Sequence, residues 1–222
     1  MNKVTIPQIR ALIEEAKALP ETGHAFLDRR WQGDGPDGRN ACYRRSYYRF
    51  CMLLARLVRP GLIVELGIDE GDCCGHWAFG APEATVLGVD VHKDGEAPSI
   101  MARSVAANFS NFQYHRNWTW QAIRDLGPWI KERGGIDILF IDSWHEYDYL
   151  ARDWNDWSPY LKEDGIVLVD DLQMGGIAQG FMSLPGEKIT DSTMNPAVPL
   201  GVMLRRGEAL PPLPFAQRDF MS

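Results

Sequence analysis

The sequence predicts a doubly wound α/β sandwich: a mostly parallel, seven-stranded sheet with an antiparallel strand pair at its C-terminal edge. Three observations carry that prediction. Five short apolar runs, at 62–66, 85–90, 112–115, 136–142 and 165–171, are continuous rather than alternating, as strands covered on both faces are. Helix-length stretches at 72–80, 98–109, 118–132 and 146–161 separate them, which leaves room for right-handed crossovers. The last two strand-like runs, 187–193 and 200–205, have only a proline-containing loop between them and must pair antiparallel.

Each element has a local reason. Residues 7–19 set Ile9, Leu12, Ile13, Ala16 and Leu19 at helical spacing, with Pro7 suited to a first turn. The Gly/Asp/Pro stretch 33–40 supplies turn geometry and little core. A second helix over 43–58 gathers Phe50, Leu53, Leu54, Leu57 and Val58 on one side and stops at Pro60-Gly61. In 146–160, Leu150, Ala151, Trp154 and Trp157 read as a core-facing stripe, and Tyr147 as the aromatic left over for a site. The expected organisation is an N-terminal helical lid, substrate or interface region over 1–60, a core over 61–206 and an irregular tail over 207–222.

Composition narrows the class. Apolar residues make up 45% and charged residues 24%, which fits a packed chain and not a disordered one. No apolar run reaches the roughly 20 residues of a membrane helix. Residues 1–7 lack a secretory apolar stretch, so a soluble, cytoplasmic protein is expected. Cys42, Cys51 and the adjacent Cys73-Cys74 have no C-x-x-C spacing and read as reduced thiols. The net charge of −7 disfavours nucleic acid as a partner. It conceals a local +6 over 29–59, where Arg29, Arg30, Arg39, Arg44, Arg45, Arg49, Arg56 and Arg59 face only Asp34 and Asp37. That stretch, with Trp31, Tyr43, Tyr47 and Tyr48, suits a solvated face, an anionic ligand or a contact between copies in a homo-oligomer.

In open α/β sheets, ligands sit beyond the carboxyl ends of the strands. The first strand runs into Glu65-Leu66-Gly67-Ile68-Asp69-Glu70-Gly71, where Gly67 and Gly71 permit a sharp turn and close backbone approach. Asp69, Glu70 and Asp72 would repel a pyrophosphate, so a cationic or zwitterionic ligand suits the turn better than a dinucleotide. Asp90 closes the second strand about twenty residues on, a position from which an acid can accept from both hydroxyls of a ribose.

Glu65-x-Gly67-x-x-x-Gly71, then Asp90, then an antiparallel final strand pair resembles the class I S-adenosylmethionine-dependent methyltransferases across about residues 45–205. The resemblance implies a Rossmann-like fold and S-adenosyl-L-methionine as methyl donor. It also implies that Glu65, Gly67, Asp69 and Gly71 lie along the methionine moiety and Asp90 at the ribose. After the third strand, where the family often has Gly-Asp-Ser, this chain has Asn117-Trp118-Thr119, and Trp118 is expected to stack on the adenine.

In that fold the fourth and fifth strands are neighbours, which would bring Asp142, Asp170 and Asp171 to one rim. Three uncompensated carboxylates are costly together, and a hard divalent cation is the usual remedy: Mg²⁺, or Ca²⁺ or Mn²⁺. The pattern is similar to metal-dependent O-methyltransferases of catechols and to macrocin-type O-methyltransferases of antibiotic sugars. His145, three residues after Asp142, stands where the first group has a lysine base and the second a histidine base. The implied reaction is O-methylation of a small hydroxylated molecule, anionic if the +6 stretch receives it, with His145 and Asp142 catalytic. Two other readings stay open. One is a methyltransferase of protein or nucleic acid, against which the acid-rich rim argues. The other is a binding protein that holds the donor without turnover.

Overall fold

The computed structural model describes residues 4–29, 41–69, 71–92, 95–196 and 198–215, excepting the side chains of 29, 41–45, 97, 98 and 101. Arg30, Trp31, the stretch 33–40 with Arg39, Glu70 and residues 216–222 lie outside the described residues. So do the side chains of Arg29, Cys42, Tyr43, Arg44 and Arg45.

Chain order is α1 (Ile6–Ala18), α2 (Ala25–Arg29), α3 (Ala41–Val58), β1 (Leu62–Leu66), α4 (Asp72–Gly80), β2 (Thr85–Asp90), α5 (Ala97–Asn108) and β3 (Phe112–Arg116). It continues with α6 (Thr119–Glu132), β4 (Ile136–Ile141), α7 (Tyr147–Trp157), β5 (Leu161–Val169), α8 (Ile177–Ser183), β6 (Glu187–Asp191) and β7 (Leu200–Leu204). The strands form one sheet in the order β3-β2-β1-β4-β5-β7-β6. β1 to β5 are mutually parallel, and β7 lies antiparallel to both β5 and β6. The predicted doubly wound, Rossmann-like sandwich is the observed one.

Side chains on a strand alternate between faces, so each apolar run feeds two cores. Ile63, Val86, Ile138 and Phe140 face a layer made by α1, α3, α4 and α5, which includes Ile9, Phe50, Trp77 and Val105. Leu62, Val64, Leu139 and Val167 face the opposite layer, where Ile123, Trp154, Trp157 and Phe181 of α6, α7 and α8 are buried. The helices α1 and α3 thus share a core with the sheet. α1 starts from a capping box in which the Thr5 side chain and Gln8 satisfy each other's backbone N–H groups.

Two boundaries differ from the sequence reading. β5 begins at Leu161, four residues before the apolar run that announced it, and its polar Lys162-Glu163-Asp164 hid the start. Its register against β4 shifts between Ile136 and Ile138. The helix expected over 146–161 accordingly ends at Trp157, followed by a 3-10 turn over Ser158–Tyr160.

The C-terminal part closes over the core in two places. Residues 207–215 form no helix or strand but are tied to α7, where Trp154 Nε1 donates to Pro211 O (3.0 Å) and Asn155 exchanges two bonds with the Leu213 backbone (2.7 and 2.8 Å). Because β7 runs against β5, the β6–β7 loop passes over the carboxyl ends of the parallel strands, and there Leu172 N–H donates to Pro199 O at 3.2 Å. Among the described residues no helix is long and apolar enough to cross a membrane.

Candidate active site

The sheet's own hydrogen bonding continues one residue past β1, β3, β4 and β5 and aligns the predicted site residues. Gly67 N–H donates to Val89 O (2.8 Å), Asp142 N–H to Leu66 O (2.8 Å), Asn117 N–H to Asp90 O (2.9 Å) and Asp170 N–H to Ile141 O (3.1 Å). The chain ends of β1 to β5 are therefore held in a row beneath one cavity of about 770 Å³. Glu65, Gly67, Asp69, Asp90, Trp118, Asp142, His145, Asp170 and Asp171 all line it. Gly71 does not. It is the left-handed N-cap of α4 (φ +78°), and its Cα packs against α5, where a Cβ would lie 3.4 Å from Ala102 Cα.

The glycine turn and Asp90 are one unit. Asp90 Oδ2 accepts from the N–H groups of Ile68 (2.8 Å) and Asp69 (3.0 Å), and Oδ1 accepts from Val91 N–H (2.6 Å). His92 stands between Asp90 (3.5 Å) and Glu96 (3.6 Å). Asp90 thus shapes the turn with part of its acceptor capacity and faces the cavity with the rest. Gly67 is demanded by space as well as by φ (+79°), since a Cβ there would fall 2.1 Å from Asp142 O. Glu65 is only 1% exposed. Burial pushes its carboxyl up to about 8, against the Cys74 thiol that donates to it at 3.3 Å, so it is neutral at physiological pH. The described thiols, Cys51, Cys73 and Cys74, are buried beneath it, with Cys51 and Cys73 Sγ 3.4 Å apart.

At the β4 and β5 ends, donor atoms of Asp142, His145 and Asp171 all lie within 4.8 Å of one another. His145 Nε2 is 2.8 Å from Asp171 Oδ2 and 3.8 Å from Asp142 Oδ1. Hydrogen bonding to Asp142 and Asp171 pushes the imidazole up to about 10, and Asp171 is lowered in return although burial opposes it. With those carboxylates bare, the protonated imidazole is favoured at neutral pH. Asp171 holds a left-handed backbone (φ +53°), an uncommon conformation for a residue with a Cβ. Asp170 stands deeper. Its Oδ1 and the Tyr47 hydroxyl of α3 are buried and make no well-formed hydrogen bond, although the hydroxyl is near enough to Asp170 to favour its charged form. Burial and the charges of Asp142 and Asp171 raise its carboxyl.

Oxygen-rich donors packed this closely, with the incompletely satisfied Asp170 carboxyl beside them, fit a hard divalent cation. Asp142 and Asp171 would hold it, with Asp170 in reach of the same cavity. The glycine turn, Asp90 and an aromatic wall likewise fit a nucleoside bearing a zwitterionic tail.

That aromatic wall was only partly legible. Trp118 stacks on Trp120 at 4.8 Å with 15° between the planes, and the Arg152 guanidinium lies 4.2 Å over the other ring. Trp144, 55% exposed, leans on Tyr149 (5.5 Å) at the cavity mouth. Tyr149 is therefore the α7 aromatic that reaches the site, and Tyr147, expected in that role, packs with the α7–α8 core. Helical spacing had given no way to separate the two.

A sheet of this order, with a glycine turn after its first strand and an acid after its second, defines the class I S-adenosylmethionine-dependent methyltransferase fold. The chain has that fold, and residues 64–172, just under half of it, match the family model of a methyltransferase domain. The uncharacterized protein R132 of Acanthamoeba polyphaga mimivirus is 28% identical over 117 residues, 50% of this chain and 51% of that protein. The chain thus spans about half the length of the curated relative it matches. The O-methyltransferase TomG from Streptomyces achromogenes, involved in tomaymycin synthesis and solved with S-adenosylmethionine, is 14% identical, with a TM-score of 0.60 over 92% of this chain and 99% of that one. The MycE methyltransferase of the mycinamycin pathway, solved with Mg and S-adenosylhomocysteine, is 13% identical, with a TM-score of 0.54 over 83% of this chain and 55% of that one. At such identities the likeness is one of fold.

Proposed function

We propose that the protein transfers the methyl group of S-adenosylmethionine to a hydroxyl of a small molecule, assisted by a divalent cation and with His145 as general base. The observation that carries this is the cluster of Asp142, His145 and Asp171 in the cavity that the glycine turn and Asp90 also line. TomG, named an O-methyltransferase, and MycE, solved with Mg, support the choice of acceptor atom and metal.

The donor's sulfonium already activates its methyl, which leaves positioning and deprotonation to the chain. A divalent cation on Asp142 and Asp171 would neutralise the carboxylates that keep His145 protonated and lower the pKa of a hydroxyl beside it. His145 Nε2 then accepts the hydroxyl proton, and the oxygen attacks the methyl in line as the sulfonium S–C bond breaks and S-adenosylhomocysteine leaves as a neutral thioether. Trp118, Trp120, Trp144 and Tyr149 supply an aromatic wall beside the reacting groups. Glu65, Asp69, Asp72, Asp90, Asp142, Asp170 and Asp171 line the cavity, and among the described lining residues there is no lysine or arginine. An uncharged or cationic acceptor fits that lining. An anionic one, as the +6 stretch suggested, would need partners among residues outside the description.

Calorimetry of the full chain with S-adenosylmethionine, with and without Mg²⁺, followed by a panel of sugars and catechols, tests the reading. Donor binding and Mg²⁺-dependent methylation are expected. A chelator that leaves turnover unchanged would remove the metal from the mechanism.

A further inference from the structure

A buried carboxylate outside the predicted site joins its two halves. Asp153 of α7 is 2% exposed and lies behind the cavity wall. Its Oδ1 accepts from the Thr119 hydroxyl and its Oδ2 from the Ser143 hydroxyl. Thr119 opens α6 between the stacked Trp118 and Trp120, and Ser143 stands between Asp142 and Trp144. Both hydroxyl-bearing residues line the cavity, whereas Asp153 is absent from its wall. The preceding residue, Arg152, covers the ring of Trp120. One turn of α7 therefore braces the loop after β3 and the loop after β4 together.

An ionisable group is an expensive way to join two loops if stability is all that is gained. Taking a carboxylate out of water carries a penalty, and apolar residues of similar volume often serve stability equally well. What the carboxylate adds is direction. Two charge-assisted bonds fix the distance and angle between two hydroxyls as packing alone does not.

We infer that Asp153 is a positioning residue that sets the aromatic loop 118–120 against the Asp142–His145 loop, and thereby sets affinity for the methyl donor bound between them. The inference rests on the donor-site reading given under Proposed function. Asp153 does not touch the donor. It acts through Thr119 and Ser143, so its loss and theirs must be coupled.

The test is a double-mutant cycle on the full-length chain, read by the dissociation constant of S-adenosylmethionine in calorimetry. Tryptophan fluorescence and thermal unfolding are followed in parallel. Asp153→Ala, Thr119→Val and Ser143→Ala are each expected to weaken binding by about tenfold, the factor that corresponds to 1.4 kcal/mol. Thr119→Val added to Asp153→Ala should weaken it no further. Thr119→Ser, which restores the hydroxyl, should regain affinity and the wild-type fluorescence change, a rescue that loss of general stability would not show. Should Asp153→Ala not fold, the Thr119→Val and Thr119→Ser pair and Ser143→Ala carry the test alone. If the wild-type chain binds the donor and the hydroxyl-deleting variants bind it equally well, or the losses simply add, Asp153 has no positioning role. If the wild-type chain fails to bind the donor, the donor-site reading falls, and this inference with it.

Discussion

Replacing Gly67 by alanine tests whether the rim is built as tightly as the geometry requires. A Cβ there would lie 2.1 Å from Asp142 O and 2.6 Å from both Asp142 C and Ser143 Cα. Two costs add. A left-handed backbone costs a residue with a Cβ about 1–2 kcal/mol. Relieving the overlap moves the Asp142–Ser143 backbone by about 1 Å, and overpacking of this kind costs about 1–3 kcal/mol. Together they predict a loss of roughly 2–5 kcal/mol in urea unfolding followed by tryptophan fluorescence. The displaced backbone carries Asp142, so Mg²⁺ and donor affinity measured by calorimetry should fall as well. Gly71→Ala is the contrast: its Cβ meets Ala102 Cα at a tolerable 3.4 Å. Only the backbone cost of about 1–2 kcal/mol remains there. A Gly67→Ala protein within about 0.5 kcal/mol of wild type, with unchanged affinities, would refute the reasoning.

Three further outcomes are expected. Glu65 has a folded value of about 8 against 4.5 for the free side chain, so the folded state holds its proton more tightly; the associated stability is complete below pH 4.5 and is lost as pH rises through 8. Burial being the main cause, Glu65→Gln should flatten the fall in unfolding free energy between pH 5 and 9, by up to about 5 kcal/mol, in denaturant titrations. Mg²⁺ at 100 times its dissociation constant should stabilise the protein by about 2.7 kcal/mol, seen as a rise in melting temperature of roughly 5–10 °C that Asp171→Asn abolishes. His145→Ala should slow methyl transfer by about 10²- to 10⁴-fold at neutral pH with donor affinity intact in calorimetry; full activity would exclude it as the base.

The parallel core was legible because burial on both faces leaves a continuous apolar run, which is why Leu62–Leu66 and Ile136–Ile141 stood out. The start of β5 was hidden because Lys162–Asp164 are only partly covered, and α8 because seven residues are too few to show a helical period. Site residues at strand ends were legible for the same reason as the strands: the ladder places Gly67, Asp90, Asn117, Asp142 and Asp170 by register alone. Residues that reach the cavity from helices were not. Tyr47 arrives from α3 and Tyr149 from α7, and periodicity says which stripe faces inward but not how near its end the cavity lies. Asp153 was hidden among the charges of an amphipathic helix. Its importance lies in two hydroxyls 34 and 10 residues away, a relation that only the packed fold creates.

The reversed strand β7 has a consequence for how the molecule can be varied. The parallel strands present their carboxyl ends to the cavity through short, crowded turns, in which Gly67 and Asp142 leave no space for change. The β6–β7 hairpin reaches the same cavity from the opposite direction and contributes Asn195 and Val198 to its wall. Met194 anchors it in the core and Asn195 is buried, while Ser192 and Thr193 are exposed, and none of the four belongs to the ladder of β1 to β5. Donor recognition and the hairpin's part of the wall are thereby written on separate stretches of chain. Changing Val198, or lengthening the chain at exposed Ser192 and Thr193, would re-cut the opening above Asp170 and Asp171 while the glycine turn stays as it is, which makes that hairpin the natural dial for changing what the cavity admits.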